Sequence, residues 1–261
     1  MPHPVDQTHS KEKILKNPRV LLFDIETRYI CFRGWSTGKQ CVDQKQIFVG
    51  QDQDIICLAY KWLGDPKIHS LDWGLNKQDS SKMIEEFSKV VEQADIVLGY
   101  NSDRFDIRHI NTQRLLSGKP PIDWPTSDDV FKQIKRLFYL PSYRLDYISK
   151  LLTGSGKASV EFNDWIEIVE KKSRKALDKM IKYNKRDVLK LEEVYNLIKS
   201  FLKPKLHVGL FNNQHKFSCP RCGDPRSQSK GARTTLAGKY QRRGCMSCGH
   251  TFKGARILPN S

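Results

Sequence analysis

The chain has 261 residues, 38% of them hydrophobic, enough for one sizeable core and a small appendage. Its formal charge of +16 points to a polyanionic partner, most simply nucleic acid, with solubility or a basic tail as the alternative. No apolar run is long enough to span a membrane, and residues 1–17 lack the continuous apolar core of a secretory signal, so neither a membrane span nor secretion is expected and these residues read as a loose arm.

Val20-Leu21-Leu22-Phe23 predicts a strand buried on both faces. Asp24 and Glu26 follow, two apart, so on a continuing strand their side chains leave the same side. Two carboxylates on one buried face repel each other and lose hydration, which is costly unless a cation sits between them; oxygen ligands select a hard ion such as Mg²⁺ or Mn²⁺. The alternative is a strand that ends at Phe23 and leaves both acids facing water. Residues 28–53, with Gly34, Gly38 and Gly50, predict a hairpin or long loop over the active edge, in which Cys41 to Val49 could pair as a strand.

Residues 54–62 predict a strand stopped by Gly64-Asp65-Pro66, and Ile68 to Trp73 its antiparallel partner. Ser80 is placed to cap a helix through Glu92, with Met83, Ile84, Phe87, Val90 and Val91 on one face. Residues 95–99 predict the next strand. Then come the turn Tyr100 to Asp106, a helix from Ile107 to Leu116, a loop over 118–125, and helices over Val130 to Leu137 and Tyr143 to Leu152. A last helical block runs from about Trp165 to Leu202, with a break expected near Tyr183, and Pro204 ends it. Strands first and helices later give a mixed α/β domain whose sheet is partly antiparallel.

Asp106 falls after a strand, at the carboxyl end where open α/β sheets place ligands, although it could simply cap the next helix. Tyr183 and Asp187 are four apart and share a face if that stretch is helical; Tyr183 could equally be a half-buried core residue. Taken in order, Asp24-Ile25-Glu26, Asn101 to Asp106, and Tyr183 to Asp187 resemble the three motifs of the DEDDy 3′–5′ exonucleases. These form part of the DnaQ-like branch of the ribonuclease H-like fold, which includes the proofreading domains of family B DNA polymerases. The likeness spans about residues 18–200, and residues 56–64, 94–99 and 180–195 look most like stand-alone, phage-type members.

The resemblance implies that Asp24, Glu26, Asp106 and Asp187 hold two Mg²⁺ or Mn²⁺ ions and that Tyr183 orients the attacking water. It also implies that Thr27 receives the terminal nucleotide and that Asn101 and Phe105 line the path of the strand. Phe105 could instead pack under the site. Asp129 falls near a position where such proteins show Asp-Thr, but Val130 stands in place of the Thr. Asp103 reads as a solvated turn residue, Asp146 as a helix-start residue and Asp128 as surplus. The chain leaves no room for a polymerase domain, so proofreading in cis is not expected.

Composition shifts near 203–211, which sets expected domains at 1–17 (arm), 18–204 (exonuclease) and 205–261 (basic zinc ribbon). Cys219, Cys222, Cys245 and Cys248 form two Cys-x-x-Cys pairs, the pattern of one structural Zn²⁺ site in a reducing compartment; Cys31, Cys41 and Cys57 are scattered. Gly223 and Gly249 allow the tight turns that aim amides at sulfur. The four thiolates leave His250, His207 and His215 without a metal role. Residues 211–261 carry ten Lys or Arg against one acid, a net +9. With Tyr240, Phe217 and Phe252 as aromatic surface and Arg242 and Arg243 as contacts, the ribbon reads as a grip on the phosphate backbone, or else as a clip that docks onto protein.

The expected activity is 3′–5′ release of nucleoside monophosphates from single-stranded DNA by two-metal-ion hydrolysis. The alternatives are a 3′–5′ exoribonuclease or a non-catalytic nucleic-acid-binding or recruiting protein on the same fold. A role in replication or repair, with a protein partner from that machinery, and a cytoplasmic location in a bacterial or phage-infected cell are further expectations.

Overall fold

The structure, a computed structural model, describes residues 17–36, 38–39, 41–48, 54–154, 160–212 and 215–258. The arm expected over 1–17 lies outside the described residues but for Asn17. The chain divides into two compact units, Arg19–Lys205 and a second one that takes in Leu206 onward.

The first unit is built on a five-stranded sheet of order β3-β2-β1-β4-β5. Its central strand is β1 (Val20–Thr27). β2 (Ile55–Trp62) runs antiparallel to β1, and β3 (Ile68–Asp72) antiparallel to β2. β4 (Ile96–Gly99) and β5 (Thr126–Asp129) run parallel to β1 on its other side. The alternation of β1 decides the layers. Leu21, Phe23 and Ile25 pack with Met83, Ile84, Phe87 and Val91 of α1 (Ser81–Val91) and with Ile110 of α2 (Asp106–Leu116). Leu22 faces the opposite way, onto α3 (Val130–Leu137), α4 (Leu145–Thr153) and Val188, Leu191 and Val194 of α6 (Arg174–Ile198). α5 (Phe162–Val169) and the first half of α6 cover Ile56, Cys57 and Trp73. The result is a mixed α/β sheet flanked by helices on both faces, the architecture that the resemblance to the ribonuclease H-like fold implies.

Three local expectations are corrected, and one unassigned stretch forms a strand. Ser80 precedes α1 but does not cap it through its side chain, because its hydroxyl is bonded to Asp54. β5 takes the four residues between the expected loop and helix, to which no element was assigned; Thr126-Ser127-Asp128-Asp129 has no apolar alternation and is held by its backbone ladder to β4. The helical block breaks before Ser173, not near Tyr183: Lys172 takes φ +51°, Ser173 caps α6, and α6 continues unbroken through Tyr183. Residues 44–46 form a 3-10 turn, and only Phe32 and Ile47 pair across the loop, so no strand forms over the described part of 41–49.

The second unit has a short helix α7 (Val208–Phe211) and a three-stranded antiparallel sheet, β6 (Ser227–Thr235), β7 (Gly238–Cys245) and β8 (Thr251–Ile257). Its small core is Cys219, Cys245 and Phe252. Phe252 is therefore core, not aromatic surface. Among the described residues no helix is long and apolar enough to cross a membrane.

Candidate active site

Asp24 and Glu26 continue the face that Leu22 begins, so β1 carries them toward α6. Carboxylate oxygens of Asp24, Glu26 and Asp187 all lie within 4.8 Å of one another. Asn184, fully buried one turn before Val188, donates from Nδ2 to Asp24 Oδ2 at 2.7 Å. Its own Oδ1 has no hydrogen-bond partner. This residue escaped the sequence reading, yet a signal was present. On α6 the stripe Leu177, Met180, Val188, Leu191 calls for an apolar residue at 184, and a polar one there needs a partner.

Asp106 opens α2 and is buried. The β1–β4 ladder ends at Leu22 and Leu98, so further along β1 that edge faces the 101–106 turn instead of a strand. Asp106 Oδ1 accepts the N–H of Ile25 there, at 3.1 Å. Asp106 is thus anchored beside the trio but does not share its 4.8 Å spacing. Crowding shows in the acidities. Burial raises Asp24 well above the ordinary carboxylate range, and the charges of Asp106, Glu26 and Asp187 raise it further, against the Asn184 hydrogen bond. Asp106 is pushed up to about 7, chiefly by burial, while its backbone hydrogen bonds pull the other way. Tyr183 is half-buried and hydrogen-bonded to Asp187; burial and then that carboxylate's charge raise its pKa, so it stays a phenol. Tyr183 and Asp187 do share one face of α6, turned to the carboxylates of β1.

Around this centre the structure places the expected strand contacts at different depths. The Thr27 carbonyl accepts Trp165 Nε1 at 3.0 Å, fixing the end of β1 against α5. Asn101 sits at φ +63°, and its N–H donates to Asp129 Oδ1 at 2.9 Å. Asp129 also accepts the N–H of Asp103 and caps α3, so it braces the 101–106 turn. Asp103 is not a solvated turn residue: it accepts from Ser127 and pairs with Lys132 at 2.7 Å. Asp146 does lie in the first turn of α4, and it pairs with Lys190 at 3.4 Å. Phe105 is 38% exposed and its ring lies 4.5 Å from that of His109.

A profile of the RNase H superfamily matches residues 48–199, more than half of the chain. This chain belongs to the RNase H superfamily. The match takes in Asp106, Tyr183 and Asp187 and begins after Asp24 and Glu26, which the fold itself brings to the others. Among solved structures, the family B DNA polymerase from the hyperthermophilic archaeon Pyrobaculum calidifontis is similar over 75% of this chain and 26% of its own, at 17% identity and a TM-score of 0.50. At that identity the likeness is one of fold. No curated protein matches the sequence. RNase H-like nucleases work with divalent metals, and the acidic trio of this superfamily member offers the hard oxygen donors such ions prefer. Three crowded carboxylates beside the buried, unpaired Asn184 Oδ1 form a donor set that fits divalent cations at this position.

The second unit holds a separate constellation. Sulfurs of Cys219, Cys222, Cys245 and Cys248 all lie within 4.8 Å of one another, with Cys219 3.6 Å from Cys248 and Cys222 3.5 Å from Cys245. Gly223 (φ +78°) and Gly249 (φ +70°) close the two turns, donating to the carbonyls of Cys219 and Cys245. Backbone amides of Arg221 and Cys222 point at the Cys219 sulfur, and those of Ser247 and Cys248 at the Cys245 sulfur. Four thiols so arranged fit a tetrahedral soft-metal site and leave no position open for catalysis. Arg242 is exposed on β7, whereas Arg243 is half-buried and donates to Ser227 Oγ and to its carbonyl, both at 2.7 Å.

Proposed function

We propose that the chain is a metal-dependent 3′–5′ exonuclease of the DEDDy type acting on single-stranded DNA. The observation that carries this reading is the meeting of Asp24, Glu26 and Asp187 within 4.8 Å, with Tyr183 hydrogen-bonded to Asp187. When bound, two Mg²⁺ or Mn²⁺ ions would neutralise charge building on the phosphate and lower the pKa of water. Asp24, Glu26 and Asp187 would hold them, with Asp106 contributing from its anchored position beside Ile25. Asn184 fixes the rotamer of Asp24, as outer partners of metal-binding carboxylates do. Tyr183, protonated at neutral pH, positions water by hydrogen bonding and does not act as a strong base.

The end of β1 at Thr27, held by Trp165, would receive the terminal nucleotide, and Asn101 and Phe105 would border the strand. Residues 19–205 form the nuclease unit in this reading. The basic second unit, carrying one structural Zn²⁺ on its four cysteines, supports it by gripping phosphates through residues such as Arg242. An unpaired end is the natural substrate, since a terminus must enter the carboxylate cluster as a single strand. The test is Asp24→Ala: digestion of a labelled single strand should fall by about a hundredfold to a thousandfold, the scale of losing a group that stabilises transition-state charge, while binding stays within a few-fold of wild type. Unchanged digestion would remove the reading.

A further inference from the structure

Four cations, Lys175, Lys179, Lys182 and Arg186, recur on α6 at intervals of four, three and four. At about 100° per residue they fall within about 60° of arc and flank Tyr183. They are not merely a solvated helix face, because they form one wall of a cavity of about 950 Å³ whose other wall is α5 and the residues around it, and Tyr183 lies on its lining. The acids of that lining are already neutralised. Asp164 pairs with Lys179 at 2.8 Å, Glu167 with Lys171 at 2.6 Å, and Asp178 with Arg174 at 2.8 Å. Among the described residues Lys175 and Lys182 have no ion-pair partner, and both are exposed. Seven residues of helix separate them, about 10 Å along the axis, room for more than one phosphate of a single strand. Asp24 and Glu26 do not line this cavity, so it is a neighbour of the carboxylate centre and not part of it.

We propose that this face of α6 and the cavity against α5 form a second nucleic-acid contact, a track that holds phosphates of the strand on its way to Tyr183. The inference rests on the nuclease reading for its direction, but not for its test. Cations at that spacing fit successive phosphates, and a backbone grip of this kind is indifferent to base sequence.

The experiment measures Kd for a fluorescently labelled single-stranded oligothymidylate by anisotropy in the full chain, with no Mg²⁺ or Mn²⁺ added, no chelator, and salt varied. Lys175→Glu with Lys182→Glu is compared with Lys82→Glu with Lys89→Glu, two exposed positions on α1 that change net charge equally. The track pair should raise Kd at least tenfold near 0.1 M salt and flatten the log–log salt slope by roughly one to two, since each phosphate contact on a single strand contributes about 0.7. The α1 pair should shift Kd less than threefold. Unchanged Kd and slope, or an equal loss from the α1 pair, would overturn the track. If charge reversal impairs folding by circular dichroism, Lys175→Gln with Lys182→Gln gives the same readout, with a rise of threefold or more expected and no rise contradicting it. Because binding is read without turnover, a wild-type chain that cuts nothing would defeat the nuclease reading and leave this test standing.

Discussion

Asp106 shows at the scale of one residue what holding acids in a dry corner costs. Its folded-state pKa of about 7 exceeds the ordinary value of 3.8, so the folded chain binds that proton more tightly than the unfolded chain does. The stability this proton contributes is fully present below about pH 4 and is lost as pH rises toward 7, a difference on the order of a few kcal/mol. Metal-free wild type should therefore lose thermal stability relative to Asp106→Asn across pH 4–7, and added Mn²⁺ at pH 7.5 should restore it. Melting curves that run parallel at every pH would contradict this. Asn184→Leu completes the apolar stripe of α6 and removes the donor to Asp24, so the melting temperature should hold while kcat falls about 10–100-fold, the usual cost of losing an outer partner of a metal ligand. Tyr183→Phe should lower kcat with little change in binding, whereas loss of folding would make the phenol a structural group. The paired acids were legible because a period of two on a strand needs no tertiary knowledge. Asn184 was hidden because its meaning appears only once α6 is laid against β1, and Asp103 because its partners Ser127 and Lys132 lie 24 and 29 residues away.

At the scale of elements, long periodic stretches such as β2 and α3 lay where patterning put them, while β5 and the break before α6 did not. β5 has four polar residues and survives on a backbone ladder that no side-chain period announces. The break falls at Ser173, whose hydroxyl accepts the N–H of Ala176 and caps α6, and not near Tyr183. Lys172 takes a backbone conformation that costs a side chain about 1 kcal/mol, so Lys172→Gly should be neutral to stabilising by roughly that amount in chemical denaturation. Gly99 ends β4 where an added Cβ would lie 2.3 Å from the Cβ of Ser102. Gly99→Ala should push the 101–106 turn away from Asp129, cost about 2 kcal/mol or more, and lower activity by displacing Asp106. A folded, fully active variant would show that the turn does not set the position of Asp106.

For the whole molecule, the +16 charge is unevenly shared: residues 211–261 carry +9 of it on the unit that holds the four cysteines. Among the described residues that unit's buried cluster is Cys219, Cys245 and Phe252, with Val208 of α7 also buried, a small apolar area for folding unaided, which is the situation in which a structural metal supplies folding free energy. A strong chelator should melt the second unit while the first, with its own three core clusters, keeps its transition. Removing residues 206–261 should weaken binding to single strands and flatten its salt dependence while sparing cleavage of a dinucleotide. The measurement that bears most directly on the central claim is a gel of a 5′-labelled single-stranded oligonucleotide with Mg²⁺, Mn²⁺ or chelator, run for wild type and Asp24→Ala. The expected result is a ladder that shortens one nucleotide at a time from the 3′ end, only with metal and only with Asp24 in place; digestion that persists in chelator or in the variant, or no shortening under any condition, would contradict it.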